Sequence, residues 1–294
     1  MTEIVPPRRV FPRARDEAEV ANQPTPAPQT GHPAYKLAFQ DMDFLLREDL
    51  RPVRFQLELL KPELLLDEAK IGSTFVFYGS ARIPEPEKAE TLLAAAVTDQ
   101  QRLVAERLKA KSRYYEEARR LARLCSRADR DHEGTRHFVV CSGGGPSIME
   151  AANRGACDEG VDSIGLNIVL PHEQMPNPYV TPSLSFQFHY FALRKMHFLL
   201  RARAVAVFPG GFGTFDECFE LLTLVQTGKV KPLPIFFFGR EFWDRVIDFQ
   251  ALVDEGVVSA DDLKLFRFCD SAEEAWAEVC RWYQHDDPAA EAAG

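Results

Sequence analysis

The chain has 294 residues, 46% hydrophobic and 27% charged, which is ordinary for a globular protein and permits one large domain or two small ones. Its net charge of −9 argues against a general nucleic-acid binder, whose phosphate contacts need a basic surface, but leaves room for a small anion held by local donors. No apolar run reaches the roughly 18 residues of a bilayer-spanning helix, and no charged-then-apolar leader is expected.

In chain order, residues 1–34 are rich in proline ("PPRRVFPRAR", "NQPTPAPQTGHP") and are expected to be a disordered tail. Residues 35–70 read as a helical extension. Val53, Leu57, Leu60 and Leu64 recur at helical spacing, and Pro62 is expected to bend or break the helix. Residues 71–286 form the main domain. Its first strand lies in "STFVFYGSARIP" and ends at Gly79-Ser80. A long charged helical region follows over 87–125, with Tyr114, Ala118, Leu121 and Cys125 on one face. The order strand, glycine turn, helix repeats in "RHFVVCSGGGPSIMEAANRGA". "SIGLNIVLP", "RAVAVFPGG" and "PLPIFFFG" read as three further strands. "ALRKMHFLLRAR", "FDECFELLTLVQTGK", "REFWDRVIDFQALVDEG" and "SAEEAWAEVCRWYQ" read as helices, and 287–294 as a short tail. Alternation of strands and helices implies βαβ units, hence a Rossmann-like, doubly wound parallel sheet with helices on both faces.

Three glycine turns fall at strand ends: Gly79-Ser80, Gly143-Gly144-Gly145 and Gly210-Gly211-Phe212-Gly213-Thr214. In open α/β sheets, ligands bind beyond the carboxyl ends of strands, where the strand order reverses. Glycines there let backbone N–H groups approach a ligand, and a helix N-terminus adds unpaired donors that suit phosphate. A single such turn is more often only a turn; two glycine clusters on separate strand ends point to an anion. The dinucleotide fingerprint G-x-G-x-x-G fails at both clusters, and no G-x-x-x-x-G-K-[ST] is present. The six cysteines (Cys125, Cys141, Cys157, Cys218, Cys269, Cys280) contain no C-x-x-C pair, which suggests reduced thiols in a cytoplasmic protein and no metal site.

"GSAR", "SGGGPSIMEAANRGA", "IGLNIVLPHEQMPNPYVTP", "FHYFALRKMHFLL" and above all "FPGGFGTFDE" resemble the LOG (Lonely Guy) family of phosphoribohydrolases, in its longer bacterial form, often mislabelled lysine decarboxylases. The resemblance runs from about residue 50 to residue 245. It implies a Rossmann-like fold and hydrolysis of a purine nucleoside 5′-monophosphate, AMP or a cytokinin ribotide, to free base and ribose 5-phosphate, with no cofactor. It also implies a homodimer with the helices around 190–228 near the interface. Mapped onto this chain, the catalytic arginine is Arg194 and the catalytic glutamate is Glu217.

Those residue types fit the chemistry. Cleaving an N-glycosidic bond builds positive charge on the ribose, and a carboxylate beside it stabilises that charge. An arginine can fork onto phosphate or orient the carboxylate. Glu217 is expected in the first turn of its helix, where the bland reading is an acid favoured by the helix dipole. The expected substrate-binding set is Gly79, Ser80, Gly143, Gly144, Gly145, Glu150, Asn153, Lys195, Gly210, Gly211, Gly213, Thr214 and Glu220. His189 and His197 flank Arg194 and are read as packed side chains. Two other readings compete: a nucleotide or cofactor carrier without turnover, and a pyridoxal phosphate-dependent decarboxylase, which needs a Schiff-base lysine.

Overall fold

The computed structural model describes residues 11–128, 134–171 and 175–285. The first ten residues and the expected tail at 287–294 lie outside these. The chain divides into two compact units, Met1–Leu60 and Lys61–Gly294, so the boundary falls inside a helix and not between residues 70 and 71.

Within the stretch expected to be disordered, α1 (Ala14–Ala21) is helical, though none of its residues is buried. Next come α2 (Met42–Leu45), opened by the Asp41 carboxylate accepting from the Phe44 N–H, and α3 (Arg51–Glu68). The α3 helix runs on through Pro62. The expected break does not occur: proline removes one i→i−4 bond, and the turns on either side continue.

The second unit opens with β1 (Thr74–Tyr78), whose five residues are all buried. Burial on both faces is why this strand reads as a continuous apolar run without alternation. The region expected as one long helix is three: α4 (Pro86–Ala94), α5 (Asp99–Lys111) and α6 (Arg113–Ser126). A capping box at Thr98 and Gln101 starts α5, each side chain bonding the other's backbone N–H at 3.0–3.1 Å, and this separates it from α4. Then follow β2 (Val139–Ser142), α7 (Ile148–Asp158), β3 (Ile164–Ile168), β4 (Ser185–Phe188), α8 (Phe191–Leu200), β5 (Ala202–Val207) and α9 (Phe212–Gln226). The chain continues through β6 (Ile235–Phe238), α10 (Arg240–Val246), α11 (Phe249–Asp254), β7 (Arg267–Cys269) and α12 (Ala272–His285). The segment expected as one helix after β6 is split in two, because Asp248 caps a new start by accepting from the Ala251 N–H at 2.9 Å.

All strand pairs are parallel and the order is β4-β3-β2-β1-β5-β6-β7. The order reverses between β1 and β5, so the switch point lies at the carboxyl ends of those strands. On one face of the sheet, α6, α7 and α12 bury Phe75, Phe77, Tyr115, Leu121, Ile148 and Phe238. Gly155 lets α7 lie almost on the backbone of α6, since a Cβ there would sit 2.3 Å from the Arg119 carbonyl oxygen. The Arg119 guanidinium forks onto Asp158 across the same contact at 2.5 and 2.9 Å.

Candidate active site

At the switch point a cleft of about 830 Å³ opens over the ends of β1, β2, β3 and β5. Of the residues expected to bind substrate, Gly79, Ser80, Gly143, Gly145, Gly211, Gly213 and Thr214 line it, together with Arg194 and Glu217. The three glycine turns therefore converge, but they do different things.

At the turn after β1, a Cβ on Gly79 would stand 2.5 Å from Ile148 Cγ2; this glycine serves packing against α7. Gly143 makes room for Arg194, whose Nη2 would lie 2.6 Å from an added Cβ. Gly144 has φ +71° and packs against Asn167. Gly210 packs on Thr214, which is buried. Gly211 and Gly213 face open space, with no atom within 4 Å of a Cβ placed there, and neither has positive φ. Their freedom from side chains serves the cleft and not the turn. Gly211 is the N-cap of α9, and the first intrahelical bond is donated by Phe215, so among the described residues the N–H groups of Phe212, Gly213 and Thr214 remain available at the mouth of the cleft.

Glu217 is the sixth residue of α9 and lies in its second turn, not the first. The dipole reading of its position therefore falls away, because that effect fades beyond the first turn. Standing three residues past Thr214, Glu217 shares that residue's helix face. Its Oε1 accepts from Arg194 Nη1 at 2.9 Å, and the two side chains are 13% and 9% exposed. Arg194 is held at a second point, its Nε donating to the Leu166 carbonyl at 2.6 Å, and its guanidinium covers the Phe198 ring. Burial pushes the Glu217 carboxyl up to about 7, against the opposing pull of the Arg194 charge. The Tyr78 phenol, buried at the end of β1, is held well above its ordinary value by burial and then by Glu217.

The remaining expected site residues stand outside the cleft. Asn153 is fully buried and bonds Ser142, Ser163, the Ile164 carbonyl and Asn177, so it braces the β2 turn. Glu150 accepts from the Tyr115 hydroxyl at 2.9 Å. Lys195 pairs with Asp216 at 3.0 Å and Glu220 at 3.1 Å, which ties α8 to α9. His197 is buried and packs on Phe188, as expected for a core histidine. Residues the sequence did not single out complete the lining: Arg82, Met149, Asn167, Phe191, Phe212 and Val246 among them. Arg82 was visible in "GSAR" beside a glycine turn; Phe191 and Phe212 are exposed aromatics at helix starts, and nothing in their local pattern marks them.

Among the described residues no group of three histidine, cysteine, aspartate or glutamate side chains is arranged to hold a metal ion, and no helix is long and apolar enough to cross a membrane. All six cysteines are free thiols.

The chain is similar in fold to the structural-genomics target TM1055, at 19% identity over 71% of this chain and 99% of that one, with a TM-score of 0.44. It is also similar to the molybdenum cofactor carrier protein of Chlamydomonas reinhardtii, at 15% identity over 71% of this chain and 97% of that one, with a TM-score of 0.41. No curated protein matches the chain. Residues 149–279, which carry Arg194, the open glycine turn and Glu217, match the family model described as "Possible lysine decarboxylase".

Proposed function

We propose that the chain hydrolyses the N-glycosidic bond of a purine nucleoside 5′-monophosphate, releasing the free base and ribose 5-phosphate. The observation that carries this reading is the buried Arg194–Glu217 pair at 2.9 Å, one helical turn from three unpaired backbone donors in a single cleft. The donors and Arg82, which forms no ion pair among the described residues, suit a 5′-phosphate. Glu217 then lies beside the ribose. As the bond from the anomeric carbon to the base breaks, its electron pair leaves with the base, which takes up a proton. The Glu217 carboxylate stabilises the oxocarbenium charge and orients the water, whose oxygen bonds to that carbon and whose released proton balances the one the base takes up. Arg194 keeps the carboxylate in place and favours its ionised form against burial.

The family description raises decarboxylation, and the residues do not fit it. Pyridoxal phosphate chemistry needs a lysine for the Schiff base. Among the described residues no lysine lines the cleft, and the nearby Lys195 is engaged by two carboxylates. The resemblance to the LOG phosphoribohydrolases supports the hydrolytic reading instead.

Glu217→Gln tests the proposal. It removes the charge while keeping size, so kcat should fall by on the order of 10²-fold or more, with affinity for ribose 5-phosphate kept or slightly improved. Near-normal kcat in this variant would overturn the assignment. Binding of nucleotides without turnover by the unmodified protein would favour the carrier reading.

A further inference from the structure

The base end of the cleft is marked by a side chain whose orientation is fixed by its surroundings. Asn167, at the carboxyl end of β3, directs its Nδ2 at the carbonyl oxygens of Phe186 at 3.2 Å and Gly165 at 3.5 Å, and at Ser185 Oγ at 3.4 Å. Flipping the amide would set its Oδ1 against two carbonyl oxygens, which can only accept. Among the described residues Oδ1 is therefore left without a donor, on a residue that lines the cleft. Gly144 gives it space, for a Cβ there would lie 2.5 Å from Oδ1. The same cleft is lined by the apolar Met149, Ile168, Leu170 and Phe191, the last 53% exposed.

The sheet order sets which end of a ligand reaches this place. From β5, whose glycine turn carries the open donors, to β3 is three strand steps, about 14 Å at about 4.8 Å each. Between these ends Arg194 joins Glu217 to the carbonyl of Leu166, the neighbour of Asn167. A nucleotide with phosphate at α9 and ribose over Glu217 thus extends its base toward β3.

We infer that Asn167 is the base-selecting residue of this cleft: its Oδ1 accepts a hydrogen bond from the exocyclic amine of an aminopurine nucleotide, while Phe191 stacks on the ring. The inference rests on the nucleotide reading of the site and adds what selects the base. A 6-oxopurine would set an acceptor against Oδ1 and lose that bond.

The test measures binding and turnover of AMP, inosine 5′-monophosphate and ribose 5-phosphate by the unmodified protein, Asn167→Ala and Phe191→Ala. The unmodified protein should bind AMP about tenfold more tightly than inosine monophosphate. Asn167→Ala should abolish that ratio by weakening AMP alone. Phe191→Ala, at an exposed position that does not endanger the fold, should weaken both nucleotides by roughly tenfold and leave ribose 5-phosphate unchanged. A ratio that survives Asn167→Ala, or equal loss of both nucleotides in it, overturns the inference; so does a Phe191→Ala variant that loses ribose 5-phosphate equally. If no nucleotide is cleaved yet AMP selectivity depends on Asn167, hydrolysis fails and the base assignment stands.

Discussion

Glu217 carries its proton up to about pH 7 in the folded chain, whereas an unfolded glutamate releases it near 4.5. Two consequences have opposite signs. Activity that needs the carboxylate should rise with pH through about 7, and kcat/KM is the quantity that reports the free protein. Stability should move the other way. Between the two values the folded state binds more protons, so the contribution is full below about 4.5 and lost as pH rises through about 7. The difference corresponds to an upper bound of roughly 3–4 kcal/mol at about 1.4 kcal/mol per pH unit. Melting temperatures taken from pH 5 to pH 8 should therefore fall more steeply for the unmodified protein than for Glu217→Gln, which mimics the protonated form. Identical slopes would show that the carboxyl titrates normally.

Glycines separate equally well at this scale. Gly211→Ala meets no protein atom within 4 Å, so the fold should be unaffected while binding of ribose 5-phosphate weakens. Gly79→Ala drives a methyl into Ile148 and should cost roughly 1–3 kcal/mol of stability, read by denaturant unfolding. The sequence shows both as glycines after strands and cannot distinguish them, because what a Cβ would meet is decided by another element. The same holds for Asn153, which looks like a ligand because it follows the second glycine turn and is a buried brace.

At the scale of elements, the buried strands β1, β2, β3, β5 and β6 were legible as unbroken apolar runs bounded by turn residues. The edge strands β4 and β7 were not. β4 alternates buried and exposed residues over only four positions, and β7 spans three, one of them Arg267. Such short segments acquire strand geometry from the neighbour they pair with. The contact of α6 with α7 offers a test in which two effects oppose. Gly155→Ala raises helix propensity by about 1 kcal/mol, yet the new methyl would sit 2.3 Å from the Arg119 carbonyl oxygen, a backbone atom that cannot turn aside. Packing should win, and equilibrium unfolding should show net destabilisation. A stabilised variant would mean that the helices separate at little cost.

For the whole molecule, the sheet's switch point was predictable once strands and helices alternated, since ligands collect where parallel order reverses. Which glycine turn opens there was not, because the answer depends on how α7, α8 and β3 fill the other two. The homodimer implied by the LOG resemblance is a proposal at this scale, and sedimentation at equilibrium should give twice the 33.3 kDa chain mass; a stable, active monomer would remove it. The most direct measurement of the central claim is chromatography of the products when the purified protein is incubated with AMP and, separately, with adenosine. The account predicts adenine and ribose 5-phosphate from AMP and little release from adenosine, because the α9 donors and Arg82 would have no phosphate to hold. Equal cleavage of the two, or no adenine from AMP, would contradict it.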